Sequence, residues 1–157
     1  MTSTTSIADR FREVTLFGKW IANTNFKEQI SDLSWEQASI SIHGLNSVAL
    51  LTFHVHYYIA GILNVFRGGS LDIRDKYSFD MPPINTQEDW VKLQNQFFED
   101  SEAFADFISQ MPENQLNAPF FDEKYGNYHR NIDGMIEHAY YHLGQVVLIK
   151  KIVQQKS

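Results

Sequence analysis

His138 and His142 stand four residues apart in the run Glu137-His138-Ala139-Tyr140-Tyr141-His142. On a helix this spacing stacks two imidazoles about one turn apart on one face. It is the arrangement by which a single helix gives two ligands to one metal ion. The neighbours Met135, Ala139, Tyr140, Tyr141 and Leu143 are apolar or aromatic, so the pair lies on a largely apolar helix. A zinc protease of the HExxH type needs Glu directly after its first His as general base. Here Ala139 follows His138, and Glu137 precedes it on another face, which disfavours peptide hydrolysis by that route. The competing reading of such a pair is two half-buried core histidines with no ligand role.

A third ligand is available from His54 or His56. They are two residues apart, about 200° around a helix, so only one of them can point inward. The His54 stripe carries Ser47, Leu51, Tyr58, Gly61 and Val65, and the His56 stripe carries Ala49, Phe53, Ile59, Ala60 and Leu63. Both are apolar, and periodicity does not choose between them. Three histidines from two facing helices form a facial set of neutral nitrogen ligands. Zn, Ni, Fe or Mn bound there keeps open positions for water or substrate. His43, in a connection, is expected to be a surface or packing residue. His129, nine residues before His138, is expected to be exposed, the alternative being that it lines the mouth of the site.

Four helical segments are needed to position these residues. The first is expected from about Ile7 to Leu33, with Ile7, Phe11, Val14, Phe17 and Ile21 at helical spacing. The second runs from about Asn46 to Phe66, capped by Asn46 or Ser47 and ended by Gly68-Gly69. Pro82-Pro83 and the capping-box pattern Thr86-Gln87-Glu88-Asp89 open the third. Trp90, Leu93, Phe97, Phe104, Phe107 and Ile108 form its apolar stripe, and Pro112 closes it. The fourth runs from after Gly126 to about Gln154, with Lys150, Lys151 and Lys156 at the end where cations suit the helix dipole. Gly61, Gly134 and Gly144 inside these helices suggest close backbone approach. The link from Arg67 to Asn85 is long enough to return the full length of a 20-residue helix, about 30 Å. The expectation is an all-α single domain over residues 1–157, a four-helix bundle that can carry a long crossover between helices two and three.

Composition excludes much else. The chain of 157 residues is 43% hydrophobic and 20% charged, a globular profile. It has no cysteine, so thiolate metal sites, cysteine nucleophiles and disulfides are ruled out. A net charge of −6 argues against a phosphate-binding surface and hence against nucleic acid. No phosphate loop, dinucleotide fingerprint or GxSxG elbow is present. Val48–Phe66 is long and apolar enough for a membrane check. Two central histidines would be costly in lipid, so a core helix is the better reading. Met1 to Ser6 lacks the pattern of a signal peptide, and the expected compartment is the cytoplasm.

The segments NSVALLTFHVHYYIAG and NIDGMIEHAYYHLGQVVLIKK resemble the DinB-like (YfiT-like) metalloenzyme superfamily. The matches are Asn46-Ser47 before an apolar run with His54, the HxxxH ending in His142-Leu143-Gly144-Gln145, and Tyr125-Gly126 before the last helix. The resemblance covers the whole chain in layout and about a quarter of it in motifs. It implies a four-helix bundle with a long crossover. It also implies a divalent metal held by His54, His138 and His142, with His56 an extra histidine and alternative ligand on helix two. The implied activity is that of a hydrolase or a thiol S-transferase using a low-molecular-weight thiol such as bacillithiol or mycothiol. The implied assembly is a homodimer, to which Trp20, Trp35 or Trp90 would contribute if exposed. Tyr58, one turn after His54, is placed to reach a bound ligand. Gln145, three residues after His142, is placed to orient a histidine or a bound water. The alternative from a different class is a non-catalytic binding bundle whose histidines are structural.

Overall fold

The computed structural model describes residues 3–155. The architecture is all-α. Among the described residues there is no β-strand, only an isolated bridge between Pro119 and Asn127. The helices are α1 (Thr4–Arg12), α2 (Phe26–Ile30), α3 (Trp35–Ser39), α4 (Val48–Phe66), α5 (Gln87–Gln110) and α6 (Tyr128–Gln155).

The first segment is not one helix to Leu33. After α1 the backbone widens into a π-helical turn, Glu13–Phe17, closed by the Gly18 N–H on the Glu13 carbonyl at 3.2 Å. Gly18 then turns extended, and a Cβ there would overlap Glu13. The apolar period continues in sequence past this break, but Phe17 and Ile21 lie exposed on the turn rather than in the core. Helix formation resumes at Asn25, whose side chain accepts from the Glu28 N–H and caps α2. The expected connection 34–45 contains a further short helix, α3, with a complete Ser34/Gln37 capping box.

The later boundaries follow their local chemistry. Ser47 caps α4, and Gly68 ends it at φ +89°. Thr86 and Asp89 cap α5 reciprocally, the Asp serving in the place of Glu or Gln. Asn127 accepts from the Arg130 N–H at the start of α6. Lys150 reaches Asp32 at 2.6 Å. Lys156, expected at the end of α6, lies outside the described residues.

Contacts set the helix directions. Phe11 meets Phe104 with ring centroids 4.3 Å apart, and Phe26 meets Phe97 at 5.0 Å, so the N-terminal segment runs antiparallel to α5. His56 faces Asp100 and Phe66 faces Phe104, so α4 and α5 run parallel. Phe66 lies against Tyr128 and His54 against His142, so α4 and α6 are antiparallel. A parallel pair needs its connection to travel back the length of a helix. The link after α4 does so. Ile73 sits on Gly61, Tyr58 bonds Asp75, and Ser78 lies beside His54. Trp90, fully buried, donates its indole N–H to the Leu33 carbonyl and ties α5 to the end of the N-terminal region. Phe107, expected in the α5 stripe, is at the edge of the core and exposed. Of the other tryptophans, Trp20 is 72% exposed and Trp35 is half-buried.

Helix α4 is long and apolar enough to cross a membrane by length and composition. Its apolar window is 61% buried against the other helices, as befits the central helix of a packed core.

Candidate metal centre

His54 on α4 and His138 and His142 on α6 converge on one point between the two helices. Their ligand atoms all lie within 4.8 Å of one another. The Nε2 of His138 is 3.2 Å from that of His54 and 2.9 Å from that of His142. His54 and His142 are buried, and His138 is half-buried.

The outward nitrogens of His54 and His142 are already in use. His54 Nδ1–H donates to the Ser78 carbonyl at 3.2 Å, and His142 Nδ1–H donates to Gln145 Oε1 at 2.6 Å. Both rings therefore present an unprotonated Nε2 to His138. His138 Nε2 carries at most one proton and cannot satisfy two lone pairs. A divalent cation satisfies all three. Nitrogens held about 2.0–2.1 Å from one ion at angles of about 90–110° are roughly 2.9–3.4 Å apart, the range of the two separations seen. The donor set is three neutral nitrogens, and on His54 and His142 an outer partner fixes the tautomer, an arrangement able to hold a divalent cation.

The electrostatics favour the unprotonated state. Burial pushes the His138 imidazole down to about 4, with His142 and His54 adding repulsion against a second positive charge. Burial also lowers His54 and His142, partly offset by the Ser78 and Gln145 hydrogen bonds.

The link after α4 supplies one side of the site. Phe79 stacks on the His54 ring at 3.9 Å and 6° between planes, and Ser78 holds its Nδ1. Tyr58 lies edge-on to both His54 and His138, at 5.3 and 5.1 Å, and donates its hydroxyl to Asp75 at 2.7 Å. Burial raises the Tyr58 phenol above its usual range. Beside His138 the centre opens into a cleft of about 400 Å³ that Tyr58 and Gly134 also line.

His56 is not in this cluster. It points to α5, with Nε2 2.7 Å from Asp100. His43 is exposed at φ +50°, and His129 faces Asp133 one turn along α6 at 3.3 Å. Ser78, Phe79 and Asp75 were not singled out from sequence. The one signal for them was the unusual length of the link they belong to. Gly61 makes the close approach expected of it, but a Cβ on Gly134 or Gly144 would meet nothing within 4 Å.

No protein-family model matches this chain, and no curated protein or solved structure does.

Proposed function

We propose that this chain is a metal-dependent enzyme of the DinB-like superfamily, with His54, His138 and His142 as ligands of a divalent cation. The reading is supported by the residues of the two motifs and by a layout of three long helices, α4, α5 and α6, packed with a broken helical N-terminal segment, in which α4 and α5 run parallel across a long connection. The observation that carries it is the convergence of three Nε2 atoms whose outer nitrogens on His54 and His142 are already bonded.

When bound, such an ion supplies Lewis-acid activation of water or of a thiol, since three neutral ligands leave its charge undiminished. The chain's own residues do the rest. Ser78 and Gln145 hold two imidazoles in the ligating tautomer. Phe79 covers one face of the His54 ring. Gly134 leaves the other side open to a small-molecule substrate. With no cysteine in the chain, any thiol that reacts here is a cosubstrate, and hydrolysis or thiol S-transfer to an electrophile are the two reactions that fit.

Elemental analysis of the purified chain is expected to give one metal equivalent, with at least tenfold less in His54→Ala. Circular dichroism establishes that the variant is folded. A folded His54→Ala protein with full metal occupancy would sink the ligand assignment. A metal-replete chain that turns over no electrophile with water or with low-molecular-weight thiols would sink the enzymatic reading and leave a binding protein.

A further inference from the structure

The cleft beside His138 extends away from the three histidines. Its near part is lined by His138, Gly134, Tyr58 and Arg130, and its far part of about 340 Å³ by Tyr58, Ile73, Arg74 and Phe120. The two parts share Tyr58, Ile62, Tyr125 and Asn131 and form one trough.

We propose that this trough binds a small organic carboxylate. Arg74 and Arg130 take the carboxylate, Ile62, Ile73 and Phe120 hold its hydrocarbon body, and the gap at Gly134 admits it beside His138. Its direction toward His138 rests on the metal reading above. The anion site itself is built from arginines and apolar walls and needs no metal.

Three observations support it. The first is charge. In a chain of net charge −6, two arginines are among the residues lining one trough. Arg74 is in no ion pair among the described residues. Arg130 has only Glu137 at 3.5 Å, and both side chains are about two thirds exposed, so that pair is weak and displaceable. One carboxylate, Asp75, also lines the trough and keeps its charge while accepting from the Tyr58 hydroxyl, so the two arginines outnumber it. A guanidinium presents a planar fork of donors that matches a carboxylate.

The second is preorganisation. The Tyr57 hydroxyl donates to the Arg74 carbonyl at 3.0 Å and accepts from its N–H at 2.8 Å. Gly61 lets Ile73 lie directly on α4. The wall carrying Arg74 is thus sewn to the helix that carries His54. On the opposite wall, Asn131 Nδ2 donates to the carbonyls of Tyr125 and Asn127 at 2.8 and 2.9 Å, fixing the entry to α6 where Arg130 sits.

The third is the glycine. Glycine is a poor residue for the interior of a 28-residue helix, and nothing packs where a Gly134 side chain would be. Its effect is to leave space between the arginines and His138. The apolar walls select a carboxylate with a hydrocarbon body over a bare phosphate.

Calorimetric titration of the full chain with 3-phenylpropionate tests this, with 3-phenylpropanamide and inorganic phosphate as comparisons, on metal-loaded and chelator-stripped protein. The acid is expected to bind at least tenfold more tightly than the amide in both forms, and phosphate more weakly than the acid. In Arg74→Met/Arg130→Met the acid should fall to the level of the amide. Both arginines are exposed, and an unchanged melting temperature shows that the fold is kept. Gly134→Leu should weaken acid and amide alike. Equal binding of acid and amide, an undiminished acid preference in the double variant, or phosphate binding as tight as the acid would each overturn the proposal. Acid binding that vanishes on stripping and in His54→Ala, but survives in the arginine variant, would place the carboxylate on the metal. That result would overturn the trough and leave the metal reading standing.

Discussion

The ring of His142 owes its direction to a single neighbour, because Gln145 Oε1 holds its Nδ1 proton at 2.6 Å. Gln145 is exposed and packs into no core, so replacing it isolates that hydrogen bond. Gln145→Leu should leave the fold intact and weaken metal binding by about 10–100-fold, the usual scale for losing an outer partner of a ligating histidine. Gln145→Glu, which keeps an acceptor, should restore it. Competition against a chelator reads both, and equal affinity for the wild type and Gln145→Leu would show that His142 needs no such support. The HxxxH pair and Gln145 were legible from spacing, since all three lie within two turns of one helix. The partner on α4 was not. His54 and His56 both sit on apolar stripes, and the rotation of a helix about its axis is set by what packs against it. Here Asp100 takes His56, while Ser78 and Phe79 take His54. These partners lie 24 to 44 residues away and leave no periodic trace.

Among the elements, α4 and the link that follows it act as one unit. A Cβ on Gly61 would overlap Ile73, and the link has little room to retreat because Tyr57 and Tyr58 bond the next two residues. Gly61→Val is expected to destabilise the chain by about 1–3 kcal/mol, the scale of overpacking a filled site. It should also shift the Ser78 carbonyl away from His54. Gly134→Ala has open space and should be neutral or stabilising by up to ~1 kcal/mol from helix propensity. Urea unfolding of the two variants reads the contrast, and similar stabilities would mean that Ile73 does not bear on Gly61. Caps made the long helices readable, since Ser47, Thr86 with Asp89, and Gly68 each act within a few residues of their boundary. The break after α1 was unreadable by the same logic. Phe17 and Ile21 keep the apolar period through a stretch where Gly18 and the Asn25 cap redirect the chain. Periodicity records which residues are apolar, not whether the backbone between them stays helical.

At the scale of the whole molecule, three imidazoles held neutral between two helices link folding to pH. In the metal-free chain the folded His138 titrates at about 4 rather than 6.5. Its contribution to stability is therefore fully present above pH 6.5, where neither state binds the proton. It is lost as the pH falls toward 4, because the unfolded chain takes up a proton that the folded chain refuses. At about 1.4 kcal/mol per pKa unit, the loss for His138 is on the order of 3 kcal/mol, and His54 and His142 shift in the same direction. Glu28 and Asp89 are also lowered, but their ordinary values of 4.5 and 3.8 put their losses at more acid pH, largely below the histidine window. Metal-free wild type should thus lose stability between pH 6.5 and about 4.5, and a His138→Gln chain should lose less across the same interval. Bound metal adds a second dependence of the same sign, since it stabilises by mass action and requires unprotonated ligands. The gap in unfolding midpoint between metal-loaded and chelated protein should therefore narrow from pH 7.5 to pH 5. A metal-free wild type whose stability is flat from pH 6.5 to 4.5, or falls no more steeply than His138→Gln, would show that these imidazoles are not held neutral by the fold. A gap that widens on acidification would mean that the ion binds elsewhere.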